Sequence, residues 1–510
     1  MKRISSSSDS PPLVARVLLL CATAMALPAQ TLTTLHSFAG SPADGEWPFA
    51  GLVQATNGDL YGTAYDGGLN SGTLFKVTPG GTLTTVYSFC TQSNCSDGAL
   101  PAAGLVQATS GDIYGTTTAG GANCVPGGCG TVFKTTPAGA LTTLHSFDGT
   151  DGSGPLGTLC QATNGNFYGT TLQGGANGPG TVFEITPNGT FGTLHSFCTQ
   201  PGCADGASPY GGLVQGTDGS LYGTTSAGGT NCSGACGTVF KISPAGKLAT
   251  IYSFCTQSRC ADGQSPYAGL VQGTDGNFYG TTQSGGVNVG TFGGAGAGTV
   301  FKITPTGALT TLYSFCSQAG CTDGQTPYAG LVQGTDGDFY GTTYYGGTNP
   351  LSYSSPAFGA GTLFKVTPAG TLTTLYNFCS QVGCTDGENP MGELVQDTNG
   401  EFYGTTEYGG VVCSPNSVDV GCGTVFSLSV GLGAFVETQT TSGEVGASVK
   451  ILGTNLKGAT RVAFNGTPAS FKLVSGSEIT ATVPPGATTG KVRVVTPGGT
   501  LSSSVPFRIT

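Results

Sequence analysis

The chain has 510 residues with 89 glycines, 28 prolines, 9% charged side chains and a formal net charge of −10. Low charge with abundant glycine would suit a disordered low-complexity chain, yet the glycines recur at fixed positions beside Val, Phe and Tyr, so order is expected. The acidic balance makes nucleic acid and anionic membrane poor partners.

Lys2, Arg3 and Arg16 precede an apolar run from Val17 to Leu27 and small residues up to Ala29, which reads as a signal peptide over residues 1–29. Cys21 could be a lipoprotein cysteine, but the apolar run before it is too short. The mature chain then begins at Gln30 with a charge of about −12 and is secreted or held at the cell surface. It is expected to be a monomer with no transmembrane segment, because no second apolar stretch would span a bilayer.

From residue 30 to 430 one unit is copied seven times, marked by Tyr-Gly-Thr at Tyr61, Tyr114, Tyr168, Tyr222, Tyr279, Tyr340 and Tyr403, 53 to 63 residues apart. The fullest copies read LVQGTDGNFYGTT, a variable stretch, GTVFKITP and LTTLYSF, giving four strands per unit. A long fixed period of four-stranded units predicts a seven-bladed β-propeller. The repeats open on an orphan LTTLHSF, Leu32 to Phe38, and the last unit stops after Val430. The N-terminal strand is therefore expected to complete the last blade, which closes the ring and removes its edges.

Sixteen of the 18 cysteines form eight close pairs, which in an exported chain read as disulfides. Five share one position after the fourth strand: Cys90/Cys95, Cys198/Cys203, Cys255/Cys260, Cys316/Cys321 and Cys379/Cys384. Cys124/Cys129, Cys232/Cys236 and Cys413/Cys422 lie between the second and third strands. In an up-and-down blade those connectors share one face of the ring, where function is expected. Cys160 replaces a Val and reads as a free thiol. Neither the spacing nor any nearby His calls for a metal, and no cofactor is expected.

His36, His145 and His195 share one unit position with Tyr87, Tyr252, Tyr313 and Tyr376, so they read as packing rings and not as a catalytic His. Asp-Gly-x-x-Pro recurs in every unit, from Asp44 to Asp386. Calcium is conceivable there, but an Asp before Gly orders a turn, and that reading is preferred.

Function that is not sevenfold belongs where the copies differ. The two residues after each Tyr-Gly-Thr strand are small or neutral in units two to five, but Tyr344-Tyr345, Glu407-Tyr408 and Tyr65-Asp66 in units six, seven and one, which are neighbours in a closed ring. The same sector carries Trp47, and its variable loops are the longer ones from unit five onward. Trp47, Tyr65, Asp66, Tyr344, Tyr345, Glu407 and Tyr408 are the candidate ligand-binding residues, because rings stack on sugar faces and carboxylates accept hydroxyl hydrogen bonds. The alternative is that these tyrosines pack between drifted loops. If the site were hydrolytic, Asp66 and Glu407 would be its carboxylate pair.

After Val430 the repeat stops, and residues 434–510 show short alternating strands such as SGEVGASVKILGTNL and GKVRVVTPGGT, the pattern of an Ig-like β-sandwich. Gly446, Gly453, Phe464-Asn465-Gly466, Ile479, Val483-Pro484 and Gly490-Lys491-Val492 resemble the turns and core of an IPT/TIG domain, which implies an interaction or spacer module without catalysis. The LVQGTDGNFYGTT and GTVFKITP strings resemble the Gloeo-Verruco, or choice-of-anchor, tandem repeat family of exported bacterial proteins. That resemblance implies surface display and no established enzymatic activity or site residues. The all-β chain is thus expected to be an exported, non-catalytic binding or scaffold protein for a polysaccharide or cell-surface protein. The alternatives are a secreted carbohydrate-active hydrolase or lyase and a structural envelope protein.

Overall fold

The computed structural model describes residues 30–42, 44–69, 71–124, 127–231, 234, 236–290, 296–351, 358–411 and 421–510. The signal peptide expected at residues 1–29, together with Cys232 and Cys413, lies outside the described residues, as do parts of the long loops of units five to seven.

Seven four-stranded antiparallel sheets are blades of one ring. Blade one runs from a two-residue inner strand, Val53–Gln54, through Leu60–Ala64 and Thr73–Val77 to the outer Leu83–Ser88. Blade seven takes its outer strand from the other end of the chain: Thr31–Ser37 pairs antiparallel with Thr424–Ser429, with Thr31 opposite Ser429 and Ser37 opposite Thr424. The ring is closed as the split unit predicts. Among the described residues, no helix is long and apolar enough to cross a membrane.

The repeated letters have packing reasons. In four blades the Tyr of Tyr-Gly-Thr stacks on a phenylalanine of the next blade, as Tyr222 does on Phe278 at 4.0 Å and Tyr279 on Phe339 at 3.9 Å. The Gly leaves room for two side chains, since a Cβ on Gly223 would stand 2.6 Å from the Phe240 ring and 2.7 Å from Leu213. The last Thr of the strand bonds the Thr of Gly-Thr opposite it, Thr225 Oγ1 to Thr238 Oγ1 at 2.8 Å. The middle Thr reaches the next blade: Thr224 Oγ1 donates to the Ala268 carbonyl at 2.7 Å and Thr405 Oγ1 to Ala50 at 2.9 Å.

The Asp-Gly carboxylates order the loops. Asp97 accepts from the Tyr87 hydroxyl at 2.8 Å, the Thr91 hydroxyl at 2.9 Å and the backbone N–H groups of Thr91 and Gln92. Where the outer strand has His, the imidazole takes the tyrosine's place, with His36 Nε2 2.6 Å from Asp44 and His145 Nε2 2.7 Å from Asp151. The neighbouring cysteines sit in the left-handed region, Cys90 at φ 60° and Cys95 at φ 50°. That backbone is unfavourable for an L-residue by about 1–2 kcal/mol, and it is held by the Cys90–Cys95 disulfide and the Asp97 network together. The same bridge recurs at Cys198–Cys203, Cys255–Cys260, Cys316–Cys321 and Cys379–Cys384, and Cys124–Cys129 closes a second-to-third-strand loop. Cys236 and Cys422 are also disulfide-bonded. Cys160 is the free cysteine among the described residues, and burial pushes its thiol up to about 11.

The C-terminal unit is an Ig-like sandwich. One sheet orders Val436–Thr438, Ser448–Gly453, Glu478–Thr482 and Phe471–Leu473, and the other Thr467–Ala469, Arg461–Phe464, Val492–Thr496 and Gly499–Ser502. Ile451, Val462, Phe464, Ile479, Val492 and Phe507 fill the space between them. This module lies across the short-turn face of the ring. Phe435 N donates to Thr398 O of blade seven at 2.9 Å, Ser477 Oγ to Thr56 O of blade one at 2.8 Å, and Gln439 Nε2 to Ala108 O of blade two at 3.0 Å. Arg508 donates to Thr217 O of blade four.

Candidate functional site

On the opposite, disulfide-bearing face, the Asp-Gly-x-x-Pro loops converge on the axis. The residue before each proline is left-handed in every unit, from Trp47 at φ 57° through Gly154 at φ 62° to Asn389 at φ 55°. This turn delivers the residue after the proline to the channel, and Phe49, Ala102, Leu156, Tyr210, Tyr267, Tyr328 and Met391 line it. Three consecutive blades thus present tyrosine. The unit comparison in the sequence missed them because it looked only at the strand-two-to-three loop; the residue after each Asp-Gly-x-x-Pro proline was the available signal.

These rings continue into the predicted sector. Tyr210 meets Tyr267 at 4.9 Å, Tyr267 meets Tyr328 at 5.6 Å, Tyr328 meets Tyr344 at 5.2 Å and Tyr344 meets Tyr345 at 4.6 Å between centroids, each pair edge-on. Such pairs hold one another rigid. Across the mouth Tyr65 stacks obliquely on Phe49 at 4.8 Å. Tyr65, Phe49, Leu156, Leu172, Tyr210 and Met391 border a mouth cavity of about 460 Å³. Beneath it the inner strands enclose about 290 Å³ of channel.

Glu407 is the acid at the end of this run of rings, outside the lining of the mouth cavity. It is buried, and the Tyr344 hydroxyl donates to its Oε2 at 2.7 Å. Burial raises its carboxyl above the usual range, against the hydrogen bonds from Tyr344 and Tyr408. Burial also raises Tyr210 and Tyr345, and Glu407 adds to both. Tyr328 is pushed up to about 12, chiefly by burial, while accepting a hydrogen bond from Gln283 Nε2 at 2.6 Å. Tyr210, Tyr328 and Tyr345 are therefore neutral at physiological pH.

Of the predicted residues only Tyr65 lines that cavity; Tyr344, Tyr345 and Glu407 stand outside its lining, as do Trp47, Asp66 and Tyr408. Asp66 pairs through its backbone with Glu46, and Tyr408 with Glu388. Trp47 is half-buried; its N–H donates to Cys422 O at 2.9 Å and its carbonyl accepts from Tyr65 N at 3.0 Å. Asp66 adds to a raised Glu46 carboxyl that burial perturbs first, so its carboxylate neighbour is Glu46, while the neighbours of Glu407 are Tyr344 and Tyr408. Lower in the channel, Glu393 occupies a position that is Gly51, Gly104, Gly212, Gly269 and Gly330 in five other units. Its side chain is exposed to the channel but surrounded by the inner strands, and that confinement raises its carboxyl against a hydrogen bond from the Gly330 N–H.

Two groups bring cysteines within reach of one ion, Cys236 with Cys255 and Cys260, and Cys379 with Cys384 and Glu388. Their sulfurs are consumed in disulfides, which leaves no thiolate ligand.

Comparison with known proteins places this architecture. Residues 23–236, 71–293, 200–414 and 291–455 match the Gloeobacter/Verrucomicrobia repeat, and residues 435–509 match the IPT/TIG domain. No relative is found among curated proteins. Among solved structures, a fungal alcohol oxidase in complex with copper is similar over 94% of this chain and 98% of its own, at 13% identity and a TM-score of 0.48. A Bacteroides thetaiotaomicron protein of unknown function is similar over 79% of this chain and 76% of its own, at 14% identity and a TM-score of 0.38. The chain belongs to the Gloeobacter/Verrucomicrobia repeat family and carries a C-terminal IPT/TIG domain.

Proposed function

We propose that this is an exported, non-catalytic binding protein whose ligand is a polysaccharide received at the axial mouth of the disulfide-bearing face. One observation carries the reading: an unbroken run of edge-packed tyrosines, Tyr210, Tyr267, Tyr328, Tyr344 and Tyr345, ends beside the buried Glu407. Rigid rings with neutral hydroxyls offer apolar faces and hydrogen bonds to a sugar at little entropic cost. Export is supported by the repeat family and by the disulfides, which persist in oxidising compartments. Tyr65 lines the mouth cavity, Trp47, Asp66 and Tyr408 belong to the wider surface around it, and the Ig-like module lies across the opposite end of the ring.

The test is to incubate the mature chain, Gln30 to Thr510, with a panel of insoluble polysaccharides, following retention of protein and release of soluble sugar. Retention without release, lost in Tyr210→Ala and Tyr345→Ala, is the expected result. Retention unchanged in both variants would overturn the mouth as the site. Release of fragments would replace the reading with a hydrolase or lyase and bring Asp66 and Glu407 forward as its carboxylates.

A further inference from the structure

The turn between the first and second strands of each blade holds a small residue: Ala55, Ala108, Ala162, Gly216, Gly273 and Gly334 in units one to six. Unit seven has Asp397 there. Its side chain is 1% exposed. Oδ1 accepts from Gln54 Nε2 at 2.9 Å, from the Asn399 N–H at 3.0 Å and from the Thr398 hydroxyl at 3.4 Å. Oδ2 is buried with no hydrogen-bond partner.

Asp397 stands where the Ig-like module meets the ring. The adjacent Thr398 hydroxyl bonds Thr454 Oγ1 of the module at 2.9 Å. Between the two units lies a cavity of about 160 Å³, whose lining includes Asp397, Gln54, Asn399, Thr454, Asn455 and Ser477. The charge around it is all of one sign. Glu401 adds its field to Asp397, and Asp397 adds to a raised Glu437, whose side chain is exposed; of the three carboxylates only that of Asp397 is buried. Among the described residues the ion pairs of lysine are made by Lys76, Lys241, Lys302 and Lys365, all on the ring and none with these three carboxylates. Lys457 lines a neighbouring cavity but is exposed and makes no ion pair among them.

A buried carboxylate without a counter-charge is strongly unfavourable, and it is tolerated when a cation or a proton neutralises it. A water could satisfy the orphan oxygen but would not balance the buried charge of Asp397. We propose that this seam cavity binds a calcium ion, with Asp397 Oδ2 as the charged ligand and amide and hydroxyl oxygens of both units completing the shell directly or through water. The lining supplies hard oxygen donors and no His or Cys, which selects calcium over zinc, and the irregular arrangement suits calcium better than the strict octahedron of magnesium. Bound there, the ion would tie blade seven to the Ig-like module.

The experiment is calorimetric titration of the full mature chain with calcium chloride at about pH 7.5, beside thermal unfolding in calcium and in chelator. The expected result is about one ion per chain with a dissociation constant of about 10⁻⁴–10⁻³ M, the range of extracellular calcium modules. Unfolding should shift upward in calcium. Asp397→Ala, which restores the residue of units one to three, should keep the fold and lose both the binding heat and the calcium-dependent shift. Wild type showing neither at about 10 mM calcium would overturn the site. Equal binding by wild type and Asp397→Ala would overturn it too, by placing the ion elsewhere.

Discussion

The middle threonine of the second strand provides an internal control that the repeat itself supplies. In six blades its hydroxyl reaches a carbonyl of the next blade: Thr63 to Ala103, Thr116 to Pro155, Thr170 to Gly211, Thr224 to Ala268, Thr281 to Ala329 and Thr405 to Ala50. In blade six, Thr342 Oγ1 is buried and has no such acceptor. Thr→Val keeps the shape and removes the hydroxyl. At Thr224 it breaks a bond of 2.7 Å between fully buried partners, a loss of about 1–3 kcal/mol once the stranded carbonyl is included. At Thr342 there is no bond to lose, and removing an unpaired buried hydroxyl recovers desolvation of up to about 1–2 kcal/mol. The two isosteric changes should therefore move the urea midpoint in opposite directions, and comparing midpoints at equal slope needs no assumption beyond a shared unfolding transition. Equal destabilisation by both variants would refute the reasoning, since it would mean that the Thr342 hydroxyl has a partner as good as that of Thr224.

Two further outcomes follow from the same geometry. Deleting residues 30–37 should leave blade seven three-stranded and strip the partner strand from Thr424–Ser429. The truncated chain should melt well below wild type or aggregate, and a synthetic peptide of residues 30–39 should restore its melting temperature; an unaffected melting temperature would contradict closure through this strand. Glu407 binds its proton more tightly in the folded state than in the unfolded chain, because burial raises its carboxyl. Its burial therefore opposes folding at neutral pH, and that cost fades as pH falls through the raised value towards the unfolded one. Glu407→Gln should accordingly raise the melting temperature at about pH 7.5 and leave it nearly unchanged at about pH 4, where both states are protonated; a gain of the same size at both values would rule out titration as its source.

The ring was legible in the sequence because its units are local. Tyr-Gly-Thr, Gly-Thr-Val-Phe and the split unit each report a strand, and strand order in a blade follows chain order. The role of the Asp-Gly carboxylates was legible for the same reason, since Asp97 bonds partners six to ten residues away. The mouth was harder. Tyr210, Tyr267 and Tyr328 lie more than fifty residues apart, and they touch only because ring geometry brings every post-proline residue to one axis. Tyr344, Tyr345 and Glu407 were visible as departures from the repeat, but their burial was not, because exposure depends on those axial neighbours. Asp397 was also a departure from the repeat, and it acquires meaning only once the Ig-like module covers the turn that carries it.

Sevenfold repetition stabilises a ring but places the same group at every blade, so a site of lower symmetry has to come from positions where one blade breaks the pattern. Blade seven does so at three depths. Glu407 stands at the mouth where units two to five have Thr118, Leu172, Ser226 and Gln283; Glu393 stands in the channel where five units have glycine; Asp397 stands at the seam where six units have Ala or Gly. Burial raises the carboxyls of Glu407 and Asp397, and that of Glu393 is raised although its side chain is exposed to the channel, so the two buried acids are disfavoured relative to the neutral residues of their sister blades. Packing does not call for the acids, because neutral residues fill the same positions in the other blades. In the two proposals above, the compensation comes from what the carboxylates meet: at the seam a cation, at the mouth a ligand whose hydroxyls they accept. Blade seven, the blade closed by the N-terminal strand and covered by the Ig-like module, is where the two proposed sites depart from the repeat.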